Sequence, residues 1–148
     1  MPAKKVYLDT SAIVKRYIEE AGSGTVDTLC HEAERGETIL CFSEWNLGES
    51  AAVFDKYRRT NNLQLKQVLE ELMNETREMY VTDEVEIIPV SSKLIAKSIA
   101  LVMKHHVYVS EALQMASCRE AMSEVLMAAD KYLLSVSESK DIQTQLIR

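Results

Sequence analysis

The chain has 148 residues, of which 47% are hydrophobic and 27% charged, and its formal net charge is −6. This balance is typical of a globular protein, so we expect residues 1–148 to form one domain in the cytoplasm, with no membrane span and no signal peptide. The negative charge argues against a protein that coats nucleic acid through a basic face.

Short apolar runs alternate with helical patterns along the whole chain. The run ending at Asp9 is continuously apolar, as in strands of a parallel sheet that is covered on both faces. Thr10 or Ser11 is predicted to cap the next helix, and Pro89 indicates either the end of its strand or a strand at an edge of the sheet. The predicted strands lie at 4–9, 38–42, 85–90, 125–129 and 141–147, and the helices at 10–19, 25–35, 43–59, 63–80, 92–105, 109–122 and after residue 130. This alternation predicts a three-layer α/β/α sandwich with a mostly parallel central sheet.

Two aspartates end predicted strands near opposite ends of the chain. Asp9 follows the first strand, and Asp130 follows the fourth. The carboxyl ends of parallel strands form the edge where open α/β sheets bind ligands. If the two strands are neighbours, their carboxylates share one crevice, which either holds a divalent metal or keeps one acid protonated. Asp9 also has a plainer interpretation, because Asp-Thr-Ser after a strand is a common helix cap.

Two glutamates lie in unusually apolar parts of predicted helices. Glu49 is surrounded by small and apolar residues, and Glu111 lies in the first turn of a largely apolar helix. A carboxylate in a first helical turn is stabilised by the helix dipole, which is the plainer interpretation of Glu111. Glu44 precedes Glu49 by five residues, or about 140° around a helix, so the two cannot share a face well.

Four segments carrying these acids resemble PIN domains, particularly the VapC-type toxins of prokaryotic toxin–antitoxin pairs. The segments are 7–15 (Tyr-Leu-Asp-Thr-Ser-Ala-Ile-Val-Lys), 43–49, 111–113 (Glu-Ala-Leu) and 128–131 (Ala-Ala-Asp-Lys). They fall in family order and with family spacing over nearly the whole chain. Two positions depart from the family pattern, since Glu111 stands where an aspartate is usual and Ala128 where a threonine is usual.

The resemblance implies a metal-dependent ribonuclease with a PIN-like fold. It implies a site with catalytic and metal-binding acids at Asp9, Glu49, Glu111 and Asp130. Asp9 and Asp130 would bind the metal directly, and the two glutamates would bind it directly or through water. A site of four carboxylates without histidine or cysteine suits Mg²⁺ or Mn²⁺ rather than zinc. If four carboxylates lie close together without metal, at least one pKa is expected to rise.

Further residues and partners follow from the same resemblance. Thr10 or Ser11 would orient Asp9 or contact a phosphate, and Lys15 and Lys131 are the predicted contacts to RNA because each lies close to a site aspartate. The alternative for such cations is a solvated helix surface. The family also implies a homodimer and an antitoxin protein that places a basic residue in the acidic pocket.

Three functions remain open at this point. The first is an endoribonuclease, as the toxin of a toxin–antitoxin pair. The second is a PIN-like scaffold with little or no catalysis that acts as a dimerising or regulatory protein, which the departures at Glu111 and Ala128 favour. The third is a phosphotransfer enzyme with Asp9 as nucleophile. Phosphatases of the haloacid-dehalogenase type begin with Asp-x-Asp after a first strand, but here Ser11 stands in the second position.

Overall fold

The computed structural model describes residues 2–138 and 140–148. Its strands are β1 (Lys4–Leu8), β2 (Thr38–Ser43), β3 (Val85–Ile88), β4 (Val125–Ala128) and β5 (Thr144–Leu146). Its helices are α1 (Thr10–Ile13), α2 (Ser23–Glu34), α3 (Glu44–Asn61), α4 (Leu65–Val81), α5 (Ser92–His105), α6 (Val109–Glu120) and α7 (Lys131–Glu138). Within this described part, no helix is both long and apolar enough to cross a membrane.

The five strands form one sheet in the order β3-β2-β1-β4-β5, and every pairing is parallel. The prediction of a mostly parallel sheet is therefore confirmed. As predicted from Pro89, β3 lies at one edge of the sheet, and the proline follows its last residue.

Helices cover both faces of this sheet because each central strand is apolar on both sides. In β1, Val6 and Leu8 pack into one hydrophobic cluster, and Tyr7 packs into the other. The first cluster includes Phe54 of α3 and residues of α2 and α4, and the second includes Leu94 of α5 and residues of α6 and α7. The two clusters on opposite faces confirm the three-layer α/β/α sandwich.

Strand order brings the two strand-end aspartates to one edge. β1 pairs with β4 in a register that places Leu8 opposite Met127, and the backbone N–H of Asp9 donates to the Met127 carbonyl. The two strands are thus neighbours, as the shared-crevice prediction requires. Asp9 and Asp130 both lie just beyond their carboxyl ends.

The helix predicted over 10–19 is wrong in its length and in its cap. α1 ends at Ile13 and continues as a 3₁₀ turn over Val14–Arg16. The cap is Asp9, whose side chain accepts from the backbone N–H of Ala12, rather than Thr10 or Ser11. Past this turn, Ser23 accepts from the Glu20 N–H and donates to the Ile18 carbonyl, which holds the chain in a loop.

Candidate active site

A cavity of about 460 Å³ opens at the carboxyl edge of the sheet. It lies between α1, α3, α6 and the β4–α7 connection. Its lining includes the four predicted acids and three of the predicted supporting residues, namely Asp9, Glu49, Glu111, Asp130, Thr10, Ser11 and Lys15. Packing has therefore brought together residues that are more than 100 positions apart in the sequence.

Asp9 is the most buried acid of this cavity, with 6% of its surface exposed. Its Oδ1 accepts from the Ser11 hydroxyl at 2.6 Å and from the Ala12 N–H at 3.1 Å. The pKa of Asp9 is raised to about 7, mainly by burial and to a smaller extent by the charges of Asp130 and Glu49, against the lowering effect of these two hydrogen bonds. A raised pKa was expected from repulsion between the acids, but loss of water is the larger cause.

Asp130 and Glu111 each bind backbone amides at the start of their own helix. Oδ1 of Asp130 accepts from the N–H groups of Tyr132 at 2.9 Å and Leu133 at 3.2 Å. Oε2 of Glu111 accepts from the N–H of Tyr108 at 2.8 Å. Glu111 thus lies at the helix N-terminus, as its plainer interpretation expected, Asp130 binds the start of α7, and both acids also line the cavity. Each carboxylate also has a second oxygen that these backbone hydrogen bonds do not use.

Glu49 is held by neutral donors from two other elements. Its Oε1 accepts from the Thr10 hydroxyl at 2.8 Å and from the Gln114 amide nitrogen at 3.3 Å. Thr10 therefore contacts Glu49, whereas Ser11 contacts Asp9. The two adjacent hydroxyls serve different acids of the cavity. Glu44, by contrast, accepts from the Val90 N–H and lies outside the cavity lining.

A buried polar network beneath the cavity was missed by sequence reasoning. Gln114 and Asn46 are 3% and 0% exposed. The Tyr7 hydroxyl donates to the Gln114 oxygen at 2.8 Å, and the Asn46 amide nitrogen donates to the Thr10 hydroxyl at 3.0 Å. Buried amides must be hydrogen-bonded, so this network fixes Thr10 and through it Glu49. The sequence feature that could have indicated this network is a polar residue on the apolar face of each of two helices, Asn46 on α3 and Gln114 on α6.

The two lysines predicted to contact RNA, Lys15 and Lys131, lie in different environments. Lys15 is 7% exposed, and its ammonium group donates to Glu20 Oε1 at 3.0 Å and to the Ala21 carbonyl at 2.7 Å. These internal partners argue against the predicted RNA contact of Lys15. Lys131 is exposed and lies outside the cavity lining. Glu20, which sequence reasoning also missed, lines the cavity and accepts from the Tyr57 hydroxyl at 2.8 Å.

The donor set of the cavity fits a hard divalent cation in its chemistry. Its acidic and hydroxyl oxygens are the ligands that Mg²⁺ and Mn²⁺ prefer, and a cation beside Asp9 would offset the loss of water that raises its pKa. Among the described residues, however, no three histidine, cysteine, aspartate or glutamate side chains are grouped so as to hold a metal ion. The carboxylates are hydrogen-bonded instead to the amides and hydroxyls named above.

The sequence matches no protein-family model and no curated protein. Solved structures do share the fold. VapC20 of Mycobacterium tuberculosis, described as a sarcin–ricin loop cleaving toxin, is similar with a TM-score of 0.66 over 88% of this chain and 93% of that chain, at 16% identity. FitAcB of Neisseria gonorrhoeae has a TM-score of 0.64 over 94% of this chain and 95% of that chain, at 15% identity.

A third similar structure is VapBC2 of Rickettsia felis, solved with a DNA fragment from its promoter. Its TM-score is 0.65 over 97% of this chain and 99% of that chain, at 13% identity. These likenesses show that the chain has a PIN-like α/β/α fold shared with VapC and FitB proteins, and they confirm at the level of the fold the resemblance carried by the four sequence segments.

Proposed function

We propose that this chain is an endoribonuclease of the PIN type, that it uses bound Mg²⁺ or Mn²⁺, and that it is the toxin of a toxin–antitoxin pair. One observation carries the proposal. Four acids from α3, α6 and the ends of β1 and β4 line one cavity in a fold shared with a protein described as an RNA-cleaving toxin. Like charges collected in one cavity oppose folding, so we expect this arrangement to be compensated by a functional role, and a bound cation would supply that compensation.

In this proposal Asp9 and Asp130 hold the metal, and Glu49 and Glu111 bind it directly or through water. When bound, the metal supplies a coordinated water of lowered pKa and offsets negative charge on the scissile phosphate. The residues around the acids keep them in place. Ser11 holds Asp9 through the 2.6 Å hydrogen bond, and Thr10 holds Glu49 through the 2.8 Å hydrogen bond. Asp9 must give up its proton for this role, which its pKa of about 7 permits near neutral pH.

A second candidate is a PIN-like scaffold with weak or no catalysis. The observation that favours it is the absence of a metal-type grouping of side chains within residues 2–138 and 140–148. Glu111, one of the two departures from the expected pattern, is hydrogen-bonded to the Tyr108 N–H. Under this candidate the acids would cap helices and would form a negatively charged binding site for a partner protein.

The toxin proposal includes two protein partners. The first is an antitoxin with a basic side chain that enters the acidic cavity and pairs with Asp9 or Glu49. The second is another copy of this chain, in a homodimer. VapBC2 and FitAcB are similar in fold, and VapBC2 was solved on promoter DNA. Both partners are testable by co-purification with the product of a neighbouring reading frame and by measurement of the mass in solution.

The test of catalysis is RNA cleavage by purified protein with Mg²⁺ or Mn²⁺ and with EDTA. We expect cleavage that EDTA abolishes, and loss of cleavage in Asp9→Asn and Glu49→Gln. Glu44→Gln is the matched control, because Glu44 lies on the same helix as Glu49 but outside the cavity. If Asp9→Asn cleaves RNA as fast as the unmodified chain, the assignment of the site is wrong. If the unmodified chain binds its partners but never cleaves, the scaffold candidate is correct.

A further inference from the structure

A second groove, of about 390 Å³, lies between α5 and α6 and reaches the turn before β5. Four of the side chains that line it are cationic: Lys97 and Lys104 on α5, Arg119 on α6, and Lys140 in the turn. Lys97 and Lys104 are seven residues apart, or about 10 Å along one face of the helix. One acid, Glu120, also lines the groove. The groove is therefore strongly basic in a chain whose net charge is −6.

These cations are not neutralised by ion pairs. Among the residues that the structure describes, none of the four makes a salt bridge. Arg119 donates to the Lys140 carbonyl, which holds the two segments together without offsetting any charge. The pKa of Lys140 is lowered, first by the side chain of Lys104 and then by burial. The charge of Asp141 acts on Lys140 in the opposite sense.

His105 lies close enough to the same cations for their positive charges to act on its pKa. Burial lowers its pKa first, followed by the charges of Lys140, Lys104, His106 and Arg119. Its Nε2 atom is buried and has no hydrogen-bond partner within the described structure. An unpaired buried nitrogen and a set of crowded cations are both costly for an isolated fold. An anion in the groove would relieve the crowding of charge.

The shape and lining of the groove indicate which anion it fits. The apolar part of its lining is Ala100, Leu101 and Ala116, and no aromatic side chain contributes to it. Bases are held by stacking on aromatic side chains, so the groove is poorly suited to a nucleoside. Cations arranged along a helix face, over more than one turn, are suited to the repeated charges of a nucleic acid backbone.

We propose that this basic groove, lined by Lys97, Lys104, Arg119 and Lys140, binds backbone phosphates of the RNA substrate away from the acidic cavity. The proposal rests on the nuclease function proposed above. α6 connects the two places, because Glu111 in its first turn lines the cavity and Arg119 in its last turn lines the groove. Glu111 and Arg119 are eight residues apart, or about 12 Å along the helix axis, so an RNA bound at both places must extend beyond its scissile phosphate.

The experiment measures RNA binding by the Asp9→Asn protein, in which cleavage is removed. The variant pair Lys104→Gln/Lys140→Gln is compared with Lys4→Gln/Lys66→Gln, a matched pair whose lysines are exposed and outside the groove. The probes are a single-stranded RNA long enough to span α6, an RNA too short to do so, a nucleoside triphosphate and duplex DNA. Each is titrated by fluorescence anisotropy at several salt concentrations.

We expect the groove pair to weaken binding of the long RNA about tenfold, or about 1.4 kcal/mol, with the short RNA unaffected. The slope of log K against log salt should fall by about 0.7 for each phosphate contact that is lost. Equal binding of the long RNA by the groove pair and the control pair would overturn the proposal. A loss confined to the nucleoside triphosphate or to duplex DNA would also overturn it.

Failure of this proposal is distinguishable from failure of the nuclease function. If the unmodified chain cleaves long RNA and the groove pair cleaves it equally well at every salt concentration, only the groove proposal fails. If the unmodified chain cleaves no RNA but the groove pair loses RNA binding, the nuclease function fails and the groove is an RNA-binding site of a protein without catalysis.

Discussion

Ser11 donates its hydroxyl hydrogen to Oδ1 of Asp9 at 2.6 Å. The same hydroxyl oxygen accepts from the backbone N–H of Ala129 at 2.8 Å, so Ser11 ties the end of β1 to the end of β4. Ser11 thus stabilises the carboxylate form of a buried acid whose pKa is raised mainly by burial.

Ser11→Ala should raise the pKa of Asp9 above its value of about 7, because the hydrogen bond that lowers it is removed. The measurement is an NMR titration of the Asp9 carboxyl carbon in metal-free buffer. Thr10→Val is the control, since the Thr10 hydroxyl donates to Glu49 and not to Asp9. An unchanged pKa in Ser11→Ala would show that this hydrogen bond is absent in solution.

Asp9 should make the protein less stable as pH rises from about 4 to about 7 when metal is absent. Its pKa is about 7 in the folded state against an ordinary 3.8, so between these values the folded state binds the extra proton. The free energy of unfolding therefore falls as pH increases across this window, in total on the order of 4 kcal/mol.

Asp9→Asn removes this pH-dependent loss of stability. Its free energy of unfolding should exceed that of the unmodified chain above about pH 7, and the difference should shrink toward pH 4. Urea unfolding of both proteins at several pH values in EDTA measures the difference. A difference that is constant with pH would contradict the raised pKa.

Divalent metal should raise the melting temperature, because it binds the folded cavity and not the unfolded chain. At a concentration one hundred times its Kd, Mn²⁺ adds about 2.7 kcal/mol to the free energy of unfolding. The increase should be lost in Asp130→Asn and kept in Glu44→Gln, whose side chain lies outside the cavity. Thermal unfolding of a metal-free sample with added Mn²⁺ makes the measurement, and no increase at millimolar Mn²⁺ favours the scaffold candidate.

Arg16 should stabilise the fold, because it joins the 3₁₀ turn after α1 to α2 and to α4. Its guanidinium donates to both carboxylate oxygens of Glu75 on α4, at 3.0 and 2.9 Å, and to Asp27 on α2 at 2.8 Å. Arg16→Ala should lower the free energy of unfolding by about 2–3 kcal/mol, since hydrogen bonds to charged groups are lost and Glu75 is left half-buried. Arg35→Ala, which removes an exposed pair with Glu37, should cost clearly less, because an exposed ion pair is screened by solvent.

Gly22 should not tolerate a side chain. Its φ is 94°, and a Cβ atom there would lie 2.6 Å from Ile147 Cγ2 and 3.0 Å from the carbonyl carbon of Arg148. Gly22→Ala should therefore destabilise the fold by about 1–3 kcal/mol, through backbone strain and displacement of the chain after β5. Gly24→Ala, on α2 with open space around it, should be neutral or stabilising by about 0.4–1 kcal/mol. Equal stability of the two variants by urea unfolding would contradict this arrangement.

Much of the fold and the position of the site could be predicted from local patterns. The apolar run before Asp9 and the capping residue Ser43 are properties of a few adjacent residues, and the structure has both elements close to the predicted bounds. The helix after Asp9 could not be predicted in its length, because the loop that ends it depends on bonds made by Ser23 and on the docking of Arg16.

The sequence by itself determined the parallel strands, the acids at their ends and the helix starts that carry Glu49 and Glu111, because apolar periodicity and capping act over a few residues. Tertiary structure alone decided that β1 and β4 are neighbours and that the Lys15 ammonium group pairs with Glu20. It also decided that Tyr7 donates to Gln114 and that Gln114 donates to Glu49. These outcomes depend on which distant groups are buried together. Burial is also what raises the pKa of Asp9, a property that its neighbours in the sequence do not set.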